Sequence, residues 1–420
     1  MRKLSYHFEI VKPLFLLALI SALSLTAQED KALTHAREIL KSTPLIDGHN
    51  DVPWEIRESK QAPLNVEAYE FRNKSTGDTD IPRLKLGRVG GQFWSVYIPG
   101  EIKSEGFAKV QLEQIDIARR FIERYPDALQ FAGTAAELNA AFQSGKIASL
   151  LGMEGGHAIE NSLGALRAFY RLGARYMTLT HNVTLDWADS ALDEAKHNGL
   201  TPFGKEVVRE MNRLGMMVDL SHVSTKVMND ALDVSASPVI FSHSSTRALT
   251  NHPRNVPDDV LTRLKTNDGV IMITFVPGFI SQANADYTIK MRAASKSVPV
   301  GSARDAFEKE YVKKNPPPKA TLQQVADHIE HARKVAGVDH IGLGGDFDGT
   351  NGSLPVGLED VSKYPALFAE LIRRGWSDTD LGKLAGQNIL RVFRQNEVVA
   401  ERLQHERPPS TATIKKLDGR

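Results

Sequence analysis

The chain has 420 residues, 41% of them hydrophobic, with 52 basic and 51 acidic side chains for a formal net charge of +1. A chain of this size can bury a sizeable core unaided, and so even a charge balance leaves no electrostatic footprint for nucleic acid or an anionic membrane surface. It contains no cysteine, which excludes disulfides, thiolate ligands and a lipoprotein anchor.

Arg2 and Lys3 precede an apolar run from Leu14 to Leu25, which closes on Thr26-Ala27 before the polar Gln28-Glu29-Asp30. This is the pattern of a cleavable secretory signal over residues 1–27, and its apolar stretch is shorter than the roughly 20 residues needed to span a bilayer. It predicts an exported protein, periplasmic or secreted. Strand-like runs rich in β-branched and apolar residues follow near 44–49, 92–98, 147–153, 175–180, 216–221, 238–242, 270–276 and 340–345. Helical patterns fill most of the gaps, at 110–125, 135–144, 163–172, 203–214, 226–232 and 322–336. Strand alternating with helix predicts parallel pairing. Eight such units within residues 28–420, without the glycine-rich phosphate fingerprint of nucleotide folds, predict an α/β fold: a single (β/α)8 barrel. The segment from Ser281 to Lys319, ending in three prolines, reads as an insertion after the seventh strand that could cover the active face. From about residue 396 the chain turns polar, and a loose tail is expected.

Residues at the carboxyl ends of barrel strands converge on one rim. The first run ends in His49 and Asp51, whose i, i+2 spacing puts both side chains on one side of an extended segment. The third ends in Met153-Glu154-Gly155-Gly156, where the glycines let the backbone crowd a ligand site. The fourth ends in Thr180-His181, the fifth in His222, the sixth in Ser242-His243, and the eighth in Asp346-Phe347-Asp348. A lone histidine is more often a hydrogen-bonded structural residue than a ligand. Three histidines and two carboxylates at the ends of four strands are a different matter and point to metal. Imidazole and carboxylate donors without thiolate suit zinc, with manganese or cobalt as competitors, and five ligands exceed what one tetrahedral zinc takes. Two ions bridged by a carboxylate could share a hydroxide and polarise a carbonyl.

The strings Asp47-Gly48-His49-Asn50-Asp51, Gly152-Met153-Glu154-Gly155, Tyr176-Met177-Thr178-Leu179-Thr180-His181 and Val218-Asp219-Leu220-Ser221-His222 resemble the membrane (renal) dipeptidase family. So do Phe241-Ser242-His243-Ser244, Arg254-Asn255-Val256-Pro257-Asp258 and Gly344-Gly345-Asp346-Phe347-Asp348-Gly349, in the family's order and over nearly the whole chain after the signal. The resemblance implies a zinc-dependent barrel of the metal-dependent hydrolase type that cleaves dipeptides. It implies that His49 and Asp51 hold one zinc, that His222 and His243 hold the other, and that Glu154 bridges them. It further implies that His181 contacts the substrate carbonyl and that Arg254 grips its terminal carboxylate. Asp346, at the end of the eighth strand, is placed to orient water and return its proton to the leaving amine, with Asp348 the less favoured candidate. Family members are often homodimers, so a dimer is a further expectation. A sister reading on the same barrel is an amidohydrolase acting on N-acyl amino acids, lactams or dipeptides with a D-residue.

Trp54 and Phe279 are candidates for the pocket wall. His328 and His331 lack the His-Glu-x-x-His order of zinc proteases and are expected on a solvated helix face. His157 is expected to be structural or to sit behind the ligands, while His35, His197, His252 and His340 belong to no ligand pattern.

Overall fold

A computed structural model of the protein describes residues 30–419 except 103–104, 300–301 and 351, so the expected signal segment lies outside the described residues. Nine strands form one sheet: β1 (Leu45–Asn50), β2 (Val89–Ser95), β3 (Leu129–Phe131), β4 (Ile147–Glu154), β5 (Ala174–Thr178), β6 (Met217–Asp219), β7 (Ile240–Ser244), β8 (Val270–Ile273) and β9 (Ile341–Leu343). All but β3 close a parallel ring in the order β1-β2-β4-β5-β6-β7-β8-β9, with β9 pairing back onto β1. These are the eight expected runs, each displaced by only a few residues. The unexpected β3 lies outside the ring, pairing Leu129 with Ile147 and Phe131 with Ser149 on the early half of β4.

The ring strands are buried on both faces almost throughout. β1, β2 and β4 are buried at every position, the signature of parallel strands covered by helices outside and side chains inside. The interior is filled by Ile46, Phe93, Leu150, Tyr176, Met217, Ile240 and Met272, so the barrel is a packed core and only its rim is free for chemistry. Ile389, Val392 and Phe393 of the helix Asn388–Glu406 join that same cluster. The tail expected to be loose from residue 396 is therefore helical to Glu406. Its buried stripe continues through Asn396 and Ala400, a polar and a small residue that hydropathy does not register.

After β8 and the short helix Pro277–Ile280, the expected insertion carries two helices among its described residues, Gln282–Ser295 and Ser302–Lys314. The next helix, Leu322–Ala336, starts at a capping box between Thr321 and Gln324 and turns Val325, Ile329 and Ala332 inward. That same face carries His328, which is only 1% exposed, and this corrects its expected place on a solvated face. Its Nδ1 accepts from the Thr246 backbone N–H at 3.1 Å and faces the Thr246 hydroxyl at 2.8 Å. His331, one turn on, is partly exposed and meets Asp258 at 2.8 Å. Among the described residues no helix is long and apolar enough to cross a membrane.

Candidate metal centre

Two buried carboxylates organise the rim before any ligand is considered. Asp47 in β1 accepts from the backbone N–H of His49 and of Gly345, both at 3.0 Å, and from the Tyr364 hydroxyl. Asp219 in β6 accepts from the N–H of Ser221 at 3.0 Å and of Ser242 at 2.9 Å. Each ties the end of its own strand to the neighbouring strand in the ring, β9 and β7 respectively. Beyond these ties the chain turns sharply: His222 and Asp346 have φ of 71° and 62°. Left-handed backbone is unfavourable for residues with a side chain by roughly 1–2 kcal/mol, and it persists where the surroundings over-determine it, as at functional sites.

The side chains so delivered meet at Glu154, the last residue of β4. Its Oε1 lies 2.9 Å from His222 Nε2, 3.4 Å from His243 Nε2 and 3.8 Å from His181 Nε2, and its Oε2 lies 3.4 Å from His49 Nε2. His49 Nε2 is also 3.4 Å from Asp51 Oδ2. Three overlapping groups have the spacing of a metal site: His49, Glu154 and His243; Glu154, His181 and His222; His49, Asp51 and Asp346. The structure thus brings all five expected ligands together, with His181 and Asp346 beside them.

The protons on the imidazoles can be placed by elimination. The Tyr176 hydroxyl lies 3.0 Å from the Gly48 carbonyl and 3.0 Å from His49 Nδ1. A carbonyl can only accept, so the single phenolic proton goes to Gly48 and His49 Nδ1–H donates to the tyrosine oxygen. In the same way Ser242 Oγ donates to Asp219 Oδ2 at 2.5 Å and accepts from His243 Nδ1–H at 2.8 Å, while His222 Nδ1 faces the Asn182 side-chain carbonyl at 3.1 Å. Each ring therefore carries a proton on Nδ1 and turns Nε2 toward the cluster, with a lone pair there whenever the ring is neutral. His222 and His243 bring those lone pairs within 2.9 Å of each other, and burial holds both imidazoles neutral, well below their ordinary value. His49 Nε2 and Asp51 Oδ1 are buried with no hydrogen-bond partner. Burial opposes charge on His49, but Tyr176, Glu154 and Asp51 together push it well above its ordinary value, so without a metal this ring also holds a proton at Nε2, in the position a cation would take over. Two neutral rings whose Nε2 lone pairs lie 2.9 Å apart, beside buried carboxylates, fit a cation, and the donor set suits a divalent one.

Around this cluster the other predicted residues take distinct places. Burial pushes Asp346 up to about 8; His49 opposes this while Asp51 and Glu154 add to it. A carboxyl poised near neutrality can carry a proton. Asp348, by contrast, turns away and accepts from the Asp78 N–H at 2.7 Å. Arg254 is 1% exposed, stacks over the Phe279 ring at 5.2 Å, reaches Ser244 Oγ and the His243 carbonyl only at 3.4 Å, and leaves Nε without a partner. Burial lowers it to about 10, so it stays cationic at neutral pH, and no carboxylate pairs with it among the described residues. Trp54 packs on Tyr97 at 4.9 Å, and Tyr97 on His181 at 4.7 Å, forming an aromatic wall whose middle member sequence reasoning missed.

His157 bonds the Ile98 carbonyl at 2.9 Å and His340 the Gly269 carbonyl, consistent with structural histidines. Sequence reasoning also gave no role to Tyr176, Asn182 or Ser95, the last donating to Glu154 Oε2 at 3.2 Å. Two glycines make the crowding possible. A Cβ at Gly152 would lie 2.0 Å from Tyr176 Cζ, and one at Gly349 would lie 2.3 Å from Asp51 Oδ2 and 2.4 Å from Asp346 Oδ1.

A closed (β/α)8 barrel with imidazoles and carboxylates gathered where its strands end defines a metal-dependent hydrolase. The membrane dipeptidase family (peptidase family M19) matches residues 33–407, and the chain belongs to it: it is a metallopeptidase of the dipeptide-hydrolysing kind. Among solved structures, the probable dipeptidase PvdM from Pseudomonas aeruginosa is 25% identical, with a TM-score of 0.77 over 89% of this chain and 100% of its own. A family M19 metallopeptidase, dipeptidase AC, is also 25% identical, with a TM-score of 0.69 over 84% and 98%. The fold is shared as well by a metallopeptidase from Rhodobacter sphaeroides liganded with a phosphinate mimic of the dipeptide L-Ala-D-Ala, at 24% identity and a TM-score of 0.68 over 84% and 99%.

Proposed function

We propose that the chain is a dinuclear zinc dipeptidase, with manganese or cobalt as substitutes, acting on dipeptides that have a free terminal carboxylate. His49 and Asp51 would hold one ion and His222 and His243 the other, with Glu154 shared by both. The observation that carries this reading is the convergence of three imidazole Nε2 atoms on one buried carboxylate, Oε1 lying 2.9 Å from His222 and 3.4 Å from His243, and Oε2 3.4 Å from His49. Bound there, divalent ions would polarise the scissile carbonyl and lower the pKa of water toward neutrality.

The remaining steps belong to the chain's own side chains. Arg254, a buried cation with no anion of its own, binds the substrate carboxylate and so admits a substrate that ends one residue beyond the cleaved bond. Burial keeps His181 neutral, below its ordinary value, and its Nε2–H donates to the carbonyl oxygen as that atom becomes tetrahedral. Asp346, in its ionised form, takes a proton from the attacking water and passes it to the nitrogen of the departing amine, and a divalent cation beside it would favour that form. The test is to strip the protein with a chelator, assay dipeptide hydrolysis, and titrate zinc back while counting bound metal. Activity should return with two equivalents; full activity in metal-free protein, or no uptake of zinc, would refute the reading.

A further inference from the structure

The two halves of the site differ in what stands behind them. The half formed by His49 and Asp51 has a carboxylate of its own. The half formed by His222 and His243 has none beyond the shared Glu154, and the buried Arg254 lies against it, its guanidinium 3.4 Å from the His243 carbonyl. A cation there would meet two neutral rings and a nearby positive charge. One further group faces this half from behind: Asp219, fully buried, joined through Ser242 Oγ to His243 Nδ1 by contacts of 2.5 and 2.8 Å. The other half has no such relay, because His49 Nδ1 ends on the neutral phenol of Tyr176.

We propose that Asp219, acting through Ser242, is a positioning residue that lends its negative charge to His243 and so sets the metal affinity of the His222/His243 half alone. The inference rests on the dinuclear reading above. Its logic is one of donors and acceptors. Asp219 as a carboxylate only accepts, which orients the Ser242 hydroxyl toward it and leaves the serine oxygen to accept from Nδ1–H; the lone pair must then be on Nε2. Charge passed along this line makes the imidazole a stronger ligand, as carboxylates behind metal-bound histidines do elsewhere. In Asp219→Asn the amide can donate to Ser242, whose hydroxyl is then free to donate to Nδ1. The ring proton moves to Nε2 and blocks the ligand position. Oδ1 can still receive the Ser221 and Ser242 amides, so the strand ends stay tied.

The experiment is a zinc titration of metal-free protein against a competing chelator, with a nitrogen NMR spectrum of histidine-labelled metal-free protein beside it. The wild type should bind two equivalents and show His243 protonated at Nδ1. Asp219→Asn should bind one equivalent unchanged and the other about 10- to 100-fold more weakly, with the His243 proton moved to Nε2. Ser242→Ala, which cuts the relay without reversing it, should weaken the same equivalent. Unchanged titrations in both variants would overturn the proposal, as would equal weakening of both equivalents accompanied by a drop in melting temperature, which marks a merely structural role. A wild type that binds fewer than two equivalents would overturn the dinuclear reading and this inference with it.

Discussion

Replacing Arg254 with methionine tests the substrate reading most directly. Methionine keeps an unbranched apolar stem against Phe279, where the guanidinium now stacks at 5.2 Å, and removes only the charge and its donors. At about 4 Å and an effective dielectric of about 20, a guanidinium and a carboxylate attract by about 4 kcal/mol before desolvation. Truncating one partner of a buried charge pair costs about 2–5 kcal/mol, so a loss of about 3 kcal/mol, or roughly 150-fold in kcat/KM, is expected for a dipeptide. The assay compares that dipeptide with its C-terminal amide in both proteins. The wild type should prefer the acid by a similar factor, and the variant should treat acid and amide alike, within about threefold, because the amide never used the charge. If the wild type cleaves acid and amide equally, or the variant keeps its preference, Arg254 does not read the carboxylate and the argument from its unpaired burial fails.

Asp346→Asn keeps shape and removes the proton carrier: kcat should fall by about 10²- to 10⁴-fold with bound metal and KM little changed, and a rate within threefold of wild type would assign the proton to another group. Gly349→Ala places a Cβ 2.3 Å from Asp51 Oδ2 and 2.4 Å from Asp346 Oδ1, so both carboxylates must shift; a loss of about 100-fold in kcat with an unchanged circular dichroism spectrum is expected, and full activity would show that neither position matters to within an ångström. Burial lowers His328 from 6.5 to about 4. The unfolded chain therefore binds a proton that the native one refuses, so the stability present above pH 6.5 is lost as pH falls toward 4, by up to about 3 kcal/mol. Urea unfolding of wild type and His328→Gln at pH 7, 6, 5 and 4 should give curves that converge on the acid side, and parallel pH dependence would refute the assignment.

The ring was legible because its strands begin on buried apolar residues, from Leu45-Ile46 in β1 to Ile341-Gly342-Leu343 in β9. β3 escaped notice since Leu129-Gln130-Phe131 is short and only Leu129 is buried. The candidate cluster could be read from residue types at strand ends. What stands behind it could not: Tyr176 looks like any strand-core aromatic, and its contact with His49 joins residues 127 positions apart. His328 was misplaced because a polar residue on a helix is ordinarily solvated, whereas here Thr246 supplies the partners that make burial tolerable. The later part of the helix Asn388–Glu406 was hidden for a related reason, its inward stripe ending in asparagine and alanine where a hydrophobic pattern would have announced it.

The carboxylates of Asp47 and Asp219 sit where strand joins strand, β1 to β9 and β6 to β7, and each also fixes the bend that aims a histidine. Zipping those two seams and building the ion cage are consequently one event. A chain still being made, with either seam open, has histidines but no cage. Metal affinity and barrel closure are thereby coupled, so a change that opens either seam is expected to cost the site along with the strand pairing.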